Sequence, residues 1–229
     1  MATLGNSKQI IVGAAQVFMS KQGPLEYYSG TGSAAIYNWG SGSVSTIPAF
    51  VSGTKYADTV EAATTDWRNV GYTSNGLEIQ FQPDFGEVQV DQLLDVARMY
   101  KQGMQVSLVT AFAEGTLENL VVAAAFSDAD LNGTDSDAAV GKVLVLNSGN
   151  LGEVPLERAM IAIGPGSGDP DHTGANARER VYTALRALSI ENVTAMAKRD
   201  APTQFEVTFR LMPANNGSYG KIVDRKVGS

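Results

Sequence analysis

The chain has no cysteine and a single histidine among its 229 residues. The missing thiols exclude a disulfide scaffold, a cysteine nucleophile, iron–sulfur ligation and the common structural zinc sites together. A Ser-His-Asp arrangement would have to use His172, which sits in the loop-like run Gly164-Pro-Gly-Ser-Gly-Asp-Pro-Asp-His-Thr-Gly with no strand–Ser–helix context. Basic residues are also scarce: 17 Lys+Arg stand against 24 Asp+Glu, a formal charge of −7, which argues against a nucleic-acid binder with a basic footprint. Long apolar runs are missing too. The longest, Leu120 to Phe126, is about a third of the roughly 20 residues a spanning helix needs, so no membrane segment is expected.

What is present is a globular composition of 44% hydrophobic and 18% charged residues, rich in glycine at 24 positions. Closely spaced Gly, Ser, Thr and Asn turn signals point to a mainly β fold. The first strand is expected over Gln9 to Ser20, ended by Gly23-Pro24. A Gly/Ser/Tyr-rich arm follows at about 27–57. Its Tyr27, Tyr28, Tyr37, Trp39, Phe50 and Tyr56 suit a surface that docks on a partner better than a free linker.

The clearest local signal is strict alternation in Leu77-Glu78-Ile79-Gln80-Phe81-Gln82 and again in Glu87-Val88-Gln89-Val90-Asp91. Pro83-Asp84-Phe85-Gly86 reads as a four-residue hairpin loop that would oppose Gln82 to Glu87 and Glu78 to Asp91. The resulting polar face, Glu78, Gln80, Gln82, Glu87, Gln89 and Asp91, holds acids and amides with no Lys or Arg. Such a face is mildly costly for the fold, because like charges directly opposed destabilise a pair of strands.

A strand over Gln105 to Phe112 leads to the one helix the pattern supports. Thr116 caps it, Glu118 lies in its first turn, and Leu117, Leu120, Val121 and Ala124 share a face. Further strands are expected at Lys142 to Leu146, Leu156 to Ile163 and Thr203 to Met212, while Arg178 to Leu188 fits helix and strand alike. No G-x-S-x-G elbow, phosphate loop or H-E-x-x-H motif occurs, so no enzyme and no cofactor are expected. Asp128-Ala-Asp130-Leu-Asn132-Gly133 matches the first half of a calcium loop, but Ala139 stands where the bidentate Glu belongs, and the run reads as a solvated turn.

The order of these elements resembles a known family. Asp66-Trp67-Arg68-Asn69-Val70-Gly71-Tyr72-Thr73-Ser74-Asn75-Gly76 precedes the alternating segment, Ala113-Glu114-Gly115-Thr116-Leu117-Glu118-Asn119-Leu120 opens the helix, and Tyr219-Gly220-Lys221-Ile222-Val223-Asp224 closes the chain. Together they look like a major tail tube protein of a long-tailed bacteriophage. The resemblance implies a single tail tube domain over 1–229, a β-sandwich or barrel-like fold with one flanking α-helix. It implies stacked hexameric rings forming a hollow tube in the virion tail, assembled in the host cytoplasm, that conducts DNA without specific binding. Partners would be other copies and tail proteins such as the tape measure and tail terminator. The acid-and-amide face would line the lumen, and the aromatic arm would make ring-stacking or subunit contacts. Two other readings fit the pattern: another phage tail structural subunit, or a secreted calcium- or carbohydrate-binding β-sandwich module using the Asp128 loop and exposed aromatics.

Overall fold

A computed structural model of the chain describes residues 14–21, 23–25, 35–37, 44–64, 66–89, 95–126, 130–133, 141–146, 148, 151, 155–167, 177–191, 193–194 and 203–228. Among these the elements are β1 (Gln16–Ser20), β2 (Ala35–Tyr37), β3 (Val44–Thr46), α1 (Tyr56–Ala62), β4 (Trp67–Asn69), β5 (Thr73–Gln89), β6 (Val96–Phe112), α2 (Leu117–Ala123), β7 (Leu131–Asn132), β8 (Val143–Leu144), β9 (Arg158–Pro165), β10 (Arg178–Ser189), β11 (Phe205–Leu211) and β12 (Gly220–Lys226). The molecule is mainly β, as its turn-rich composition predicts. An 8-stranded antiparallel sheet runs in the order β4-β1-β9-β10-β11-β6-β5, with β12 added on β10. The path ends at β4 and β5, which do not pair with each other, so the sheet is not a closed barrel.

β10 organises the sheet. One edge pairs with β9 from Glu179 to Ala187; the other takes β12 along Arg178–Ala184 and then β11 along Ala187–Ser189. The strands β1, β9 and β10 are apolar on both faces. Val17, Met19, Met160, Ala162 and Ala184 pack with β6, β11 and α2, whereas Phe18, Ile161, Ile163, Val181 and Leu185 pack with Ile47 and with Tyr56 and Val60 of α1. Burial on both faces explains why Arg178 to Leu188 is ambiguous in sequence: a two-sided strand loses the alternation that distinguishes it from a helix. The single-sided β11 keeps it, with Phe205, Val207, Phe209 and Leu211 buried and Glu206 and Arg210 exposed.

Two expectations require correction. Pro83–Gly86 is no turn: β5 is one strand of 17 residues running through it, and its partner is β6, also of 17, in a register from Thr73 opposite Phe112 to Gln89 opposite Val96. The expected strand at Gln105 to Phe112 is therefore the proximal half of a longer one. The second correction is α1, a helix within the segment assigned to the arm and its border. Lys55 provides no side-chain cap. Instead the Glu179 carboxylate, far away in sequence, accepts the Tyr56 backbone N–H at 3.0 Å. A helix capped through tertiary structure leaves no local cap signal.

α2 follows its sequence signal: the Thr116 hydroxyl accepts the Asn119 N–H and Glu118 occupies the first turn. Its buried side is Asn119, Val121, Val122 and Ala123, with Leu120 partly buried against the core. Ala124, expected on that side, is exposed.

Candidate functional site

β11 covers β6 only from Ser107 to Phe112. Among the described residues, β6 has β5 as its only sheet neighbour from Val96 to Val106, and the far edge of β5 is open along its whole length. The distal ribbon of Phe81–Gln89 and Val96–Gln102 is exposed apart from the buried Gly86 and the half-buried Val96. At about 3.3 Å per residue it extends roughly 30 Å from where it leaves the sheet. Isolated two-stranded ribbons are marginal in water. This one nonetheless exposes Phe81, Phe85, Val88, Met99 and Tyr100, with Met99 at 58% of its full area. Open edges and exposed apolar side chains on a projecting ribbon mark an interaction surface.

Strand alternation gives the ribbon two chemically different faces. On one, Ile79, Phe81, Met104, Val106 and Leu108 line an open apolar groove of about 520 Å³ facing Tyr182, Leu211, Tyr219 and Ile222. On the other lie Glu78, Gln80 and Gln82, with Gln80 Nε2 donating to Glu78 Oε1 at 3.0 Å. The cross-strand partners on this polar face are Val109, Ser107 and Gln105, and Asp84 continues it beside Gly103.

The structure thus brings together three of the six residues expected on that face. β5 advances one residue at a time from Leu77 to Gln89, the skipped positions being Gln102 and Ala97 on β6. Glu87 and Gln89 are an odd number of residues from Glu78, so alternation places them on the opposite face, beside Phe85 and Met99. The missing turn is the reason: without it the strand does not reverse, and the phase of the second segment inverts. Asp91 lies outside the described residues.

Asp84, Glu206 and Glu191 were not singled out in the sequence, yet they belong with Glu78. β11 continues the polar face across β6, placing Glu206 opposite Ala111, Thr208 opposite Val109 and Arg210 opposite Ser107. The Thr208 hydroxyl donates to Glu191 Oε2 at 2.7 Å. Alternation in Glu206–Arg210 was readable, but only sheet order reveals which face it shares. Among the described residues two cations share this face: Arg210 on β11, and Arg98 opposite Val88 near the far end of the ribbon.

The aromatic arm fares differently. Tyr27, Tyr28 and Trp39 lie outside the described residues, and for Tyr37 only its place in β2 is described. Tyr56 is fully buried and donates its hydroxyl to the Pro48 carbonyl at 2.9 Å. Burial pushes its phenol far above the ordinary range, partly offset by the Arg225 charge. Phe50 packs on Tyr56 with ring centroids 4.5 Å apart and lies under the Arg225 guanidinium at 5.1 Å. Both rings belong to this chain's own core and border, which corrects Tyr56 as an outward contact residue.

Four of the six residues of the calcium-like run, Asp130 to Gly133, are described, where β7 pairs with β8; Asp128 lies outside the described residues, as does His172. No cluster of three potential metal ligands occurs among the described residues. No described helix is long and apolar enough to cross a membrane.

Two of the three segments carrying the family resemblance, 66–76 and 113–120, meet in space. Arg68 Nη1 donates to Asn119 Oδ1 at 2.8 Å, Asn119 Nδ2 to the Val70 carbonyl at 2.8 Å, and the Tyr72 N–H to Glu114 Oε1 at 2.9 Å. Lys142 pairs with Glu118 at the same place. The network clamps the start of β5 to α2. No protein-family model matches this sequence, and no curated protein matches it.

Proposed function

We propose that the chain is the structural subunit of a bacteriophage tail tube, assembling as hexameric rings that stack into a hollow conduit for DNA. The observation that supports this reading is the β5–β6 ribbon: long, projecting, open at its edges among the described residues, and, from Leu77 to Asp84, apolar on one face and acid-and-amide on the other. In the assembled ring the two halves of the sheet would act as a sandwich, and six ribbons would side with one another into an inner barrel. Their apolar faces would turn to the surrounding protein and their polar faces to the lumen.

Duplex DNA carries one negative charge per roughly 1.7 Å of axis, and a lysine-lined channel would hold its phosphates. Glu78, Asp84 and Glu206 would supply a weakly repulsive wall, with Gln80, Gln82 and Gln105 as a neutral hydrated lining. Glu87 and Gln89, on the apolar side, have no part in this lining. Ring closure would also satisfy the open β5 edge, a liability in a monomer. Partners in this reading are further copies, a tape measure within the lumen and a terminator at the end of the tube, all in the virion tail. Negative-stain microscopy of the concentrated full-length chain tests it. Hollow rods or six-fold rings are expected, and a protein that stays monomeric at every concentration reached would overturn the reading.

A further inference from the structure

The open edge of β5 is not uniform, and Pro83 interrupts it. Hydrogen-bond direction along β6 can be read from two contacts. The Ala113 N–H reaches the Tyr72 carbonyl at 2.9 Å, on the β5 side, so the odd-numbered groups of proximal β6 point to β5. The Met104 carbonyl accepts from the Tyr219 hydroxyl at 2.6 Å, on the side away from β5, as alternation requires of the even-numbered groups. From Leu77 to Asp84 the register is unbroken, with Glu78, Gln80 and Gln82 opposite Val109, Ser107 and Gln105. Those even-numbered β5 residues therefore bond β6. The backbone groups of Leu77, Ile79, Phe81 and Pro83 point to the open edge.

Proline has no N–H and is tolerated in a strand where that group would face outward. Pro83 consequently costs this chain no internal ladder bond. An added strand meets a different surface: three residues, Leu77, Ile79 and Phe81, offering both a donor and an acceptor, then a site with no donor and a ring in the way. Just beyond it, β6 carries its Gln102 bulge, which twists the ribbon locally.

We infer that Pro83 is a stop on the β5 edge, confining strand addition by a second copy of this chain to Leu77–Phe81. A second copy is the occupant because, among the described residues, the ribbon is open on both sides: β5 along its outer edge and β6 distal to β11. A head-to-tail arrangement of identical ribbons is then the one that satisfies each without leaving the pair unmatched. An uninterrupted edge of 17 residues would pair in several registers and propagate as a fibre; a short one, ended by proline, admits one register. This inference rests on the subunit reading above for its partner, but the stop itself can be tested apart from it.

Pro83→Val restores the donor in a residue that favours strands. The variant should give thioflavin-positive, irregular aggregates at a rate roughly tenfold above the parent. Phe81→Pro moves the stop into the competent stretch. It should match Phe81→Ala, which loses the same groove-lining ring, in circular dichroism and thermal transition, since Phe81 gives no backbone bond to β6, and it should lose assembly by sedimentation where Phe81→Ala keeps it. Pro83→Val assembling at the parent's rate into the same particles would overturn the stop. So would Phe81→Pro assembling normally, or failing to fold where Phe81→Ala folds, because the latter would place the Phe81 N–H inside the ladder. If the parent makes no rings or rods while Pro83→Val gains thioflavin-positive aggregates, the tube reading falls and the stop stands. Parent tubes with both variants behaving like the parent give the reverse.

Discussion

The side-chain amide of Asn119 donates to the backbone carbonyl of Val70 at 2.8 Å, joining α2 to the segment that leads from β4 into β5. The same Nδ2 donates to the Glu114 carbonyl at 3.0 Å, and Oδ1 accepts from Arg68. Asn119 is 1% exposed and its bond to the Val70 carbonyl is buried, so without it that carbonyl would be left in a dry site and the half-buried Glu114 carbonyl and Arg68 would each lose a partner. Stranding buried polar groups costs about 1–3 kcal/mol each. Asn119→Ala should therefore destabilise the protein by about 2–4 kcal/mol, read as a lower urea midpoint with unchanged slope. A change under about 0.5 kcal/mol, the range of ordinary surface substitutions, would refute the clamp.

Gly71 lies in the same joint with φ +81°, and a Cβ placed on it would overlap the Glu114 carboxylate that accepts the Tyr72 N–H. Gly53 has a similar φ of +77° but faces open space. The two alanine variants separate backbone strain from lost contact. Gly53→Ala should cost about 1 kcal/mol, the penalty of a left-handed non-glycine residue. Gly71→Ala should cost that and more, because Glu114 must leave its hydrogen bond. Thermal or urea unfolding of both measures the difference, and equal effects would remove any special role for the Glu114 contact.

Much of the β framework was legible because one-sided burial writes period two into a strand, as in β11. The misreading of Pro83–Gly86 has a physical origin in the same ribbon. Proline and glycine are turn signals only when their backbone properties serve a turn. Pro83 is accommodated because its nitrogen faces the open edge. Gly86 is present because Tyr100 and Gln102 cross over it, where a Cβ would overlap Gln102 Nε2 and the Tyr100 ring. That cross-strand crowding cannot be seen without the register. Tyr56 was misassigned for a related reason: its burial depends on Glu179, Arg225 and Pro48, none of them local in sequence except the last. The polar face was half legible, since Glu78, Gln80 and Gln82 share a phase along one strand, while Glu206 joins them only through sheet order.

Two carboxylates set an acid limit on stability. Burial opposes ionisation of Glu118, but its Lys142 hydrogen bond, its own backbone N–H and the charges of Lys142 and Arg68 outweigh this and hold it below its ordinary 4.5. The bidentate Arg180 contact holds Asp224 below its ordinary 3.8. A carboxylate with a depressed folded pKa binds fewer protons folded than unfolded. Its contribution is complete above the ordinary value and disappears as pH falls through the folded one. The urea midpoint should therefore fall between pH 5 and pH 2. Glu118 and Asp224 side chains are 27% and 47% exposed, so solvent screening limits each pair to about 0.2–1 kcal/mol. Lys142→Met and Arg180→Met should each flatten part of that slope; an unchanged slope in both would mean other groups govern acid unfolding.

The strongest functional consequence of the continuous β5 strand is that acidic residues a few positions apart should behave oppositely. Glu78 and Asp84 lie on the polar face, whereas Glu87 shares the other face with Phe85 and Met99. On the tube reading, rods of the parent protein should not retain short duplex DNA in a sedimentation assay. Rods carrying Glu78→Lys and Asp84→Lys together should retain it at low salt and release it as ionic strength rises, because the lumen would then neutralise phosphates and free their counterions. Glu87→Lys adds the same charge on the side turned to protein. It should leave DNA retention at the parent's level and instead weaken assembly, since a lysine there enters an apolar contact. If Glu87→Lys rods hold DNA as well as the double variant, the two faces are not distinguished in the assembly. If neither set retains DNA, the polar face does not line a DNA channel, whatever the rods look like by microscopy.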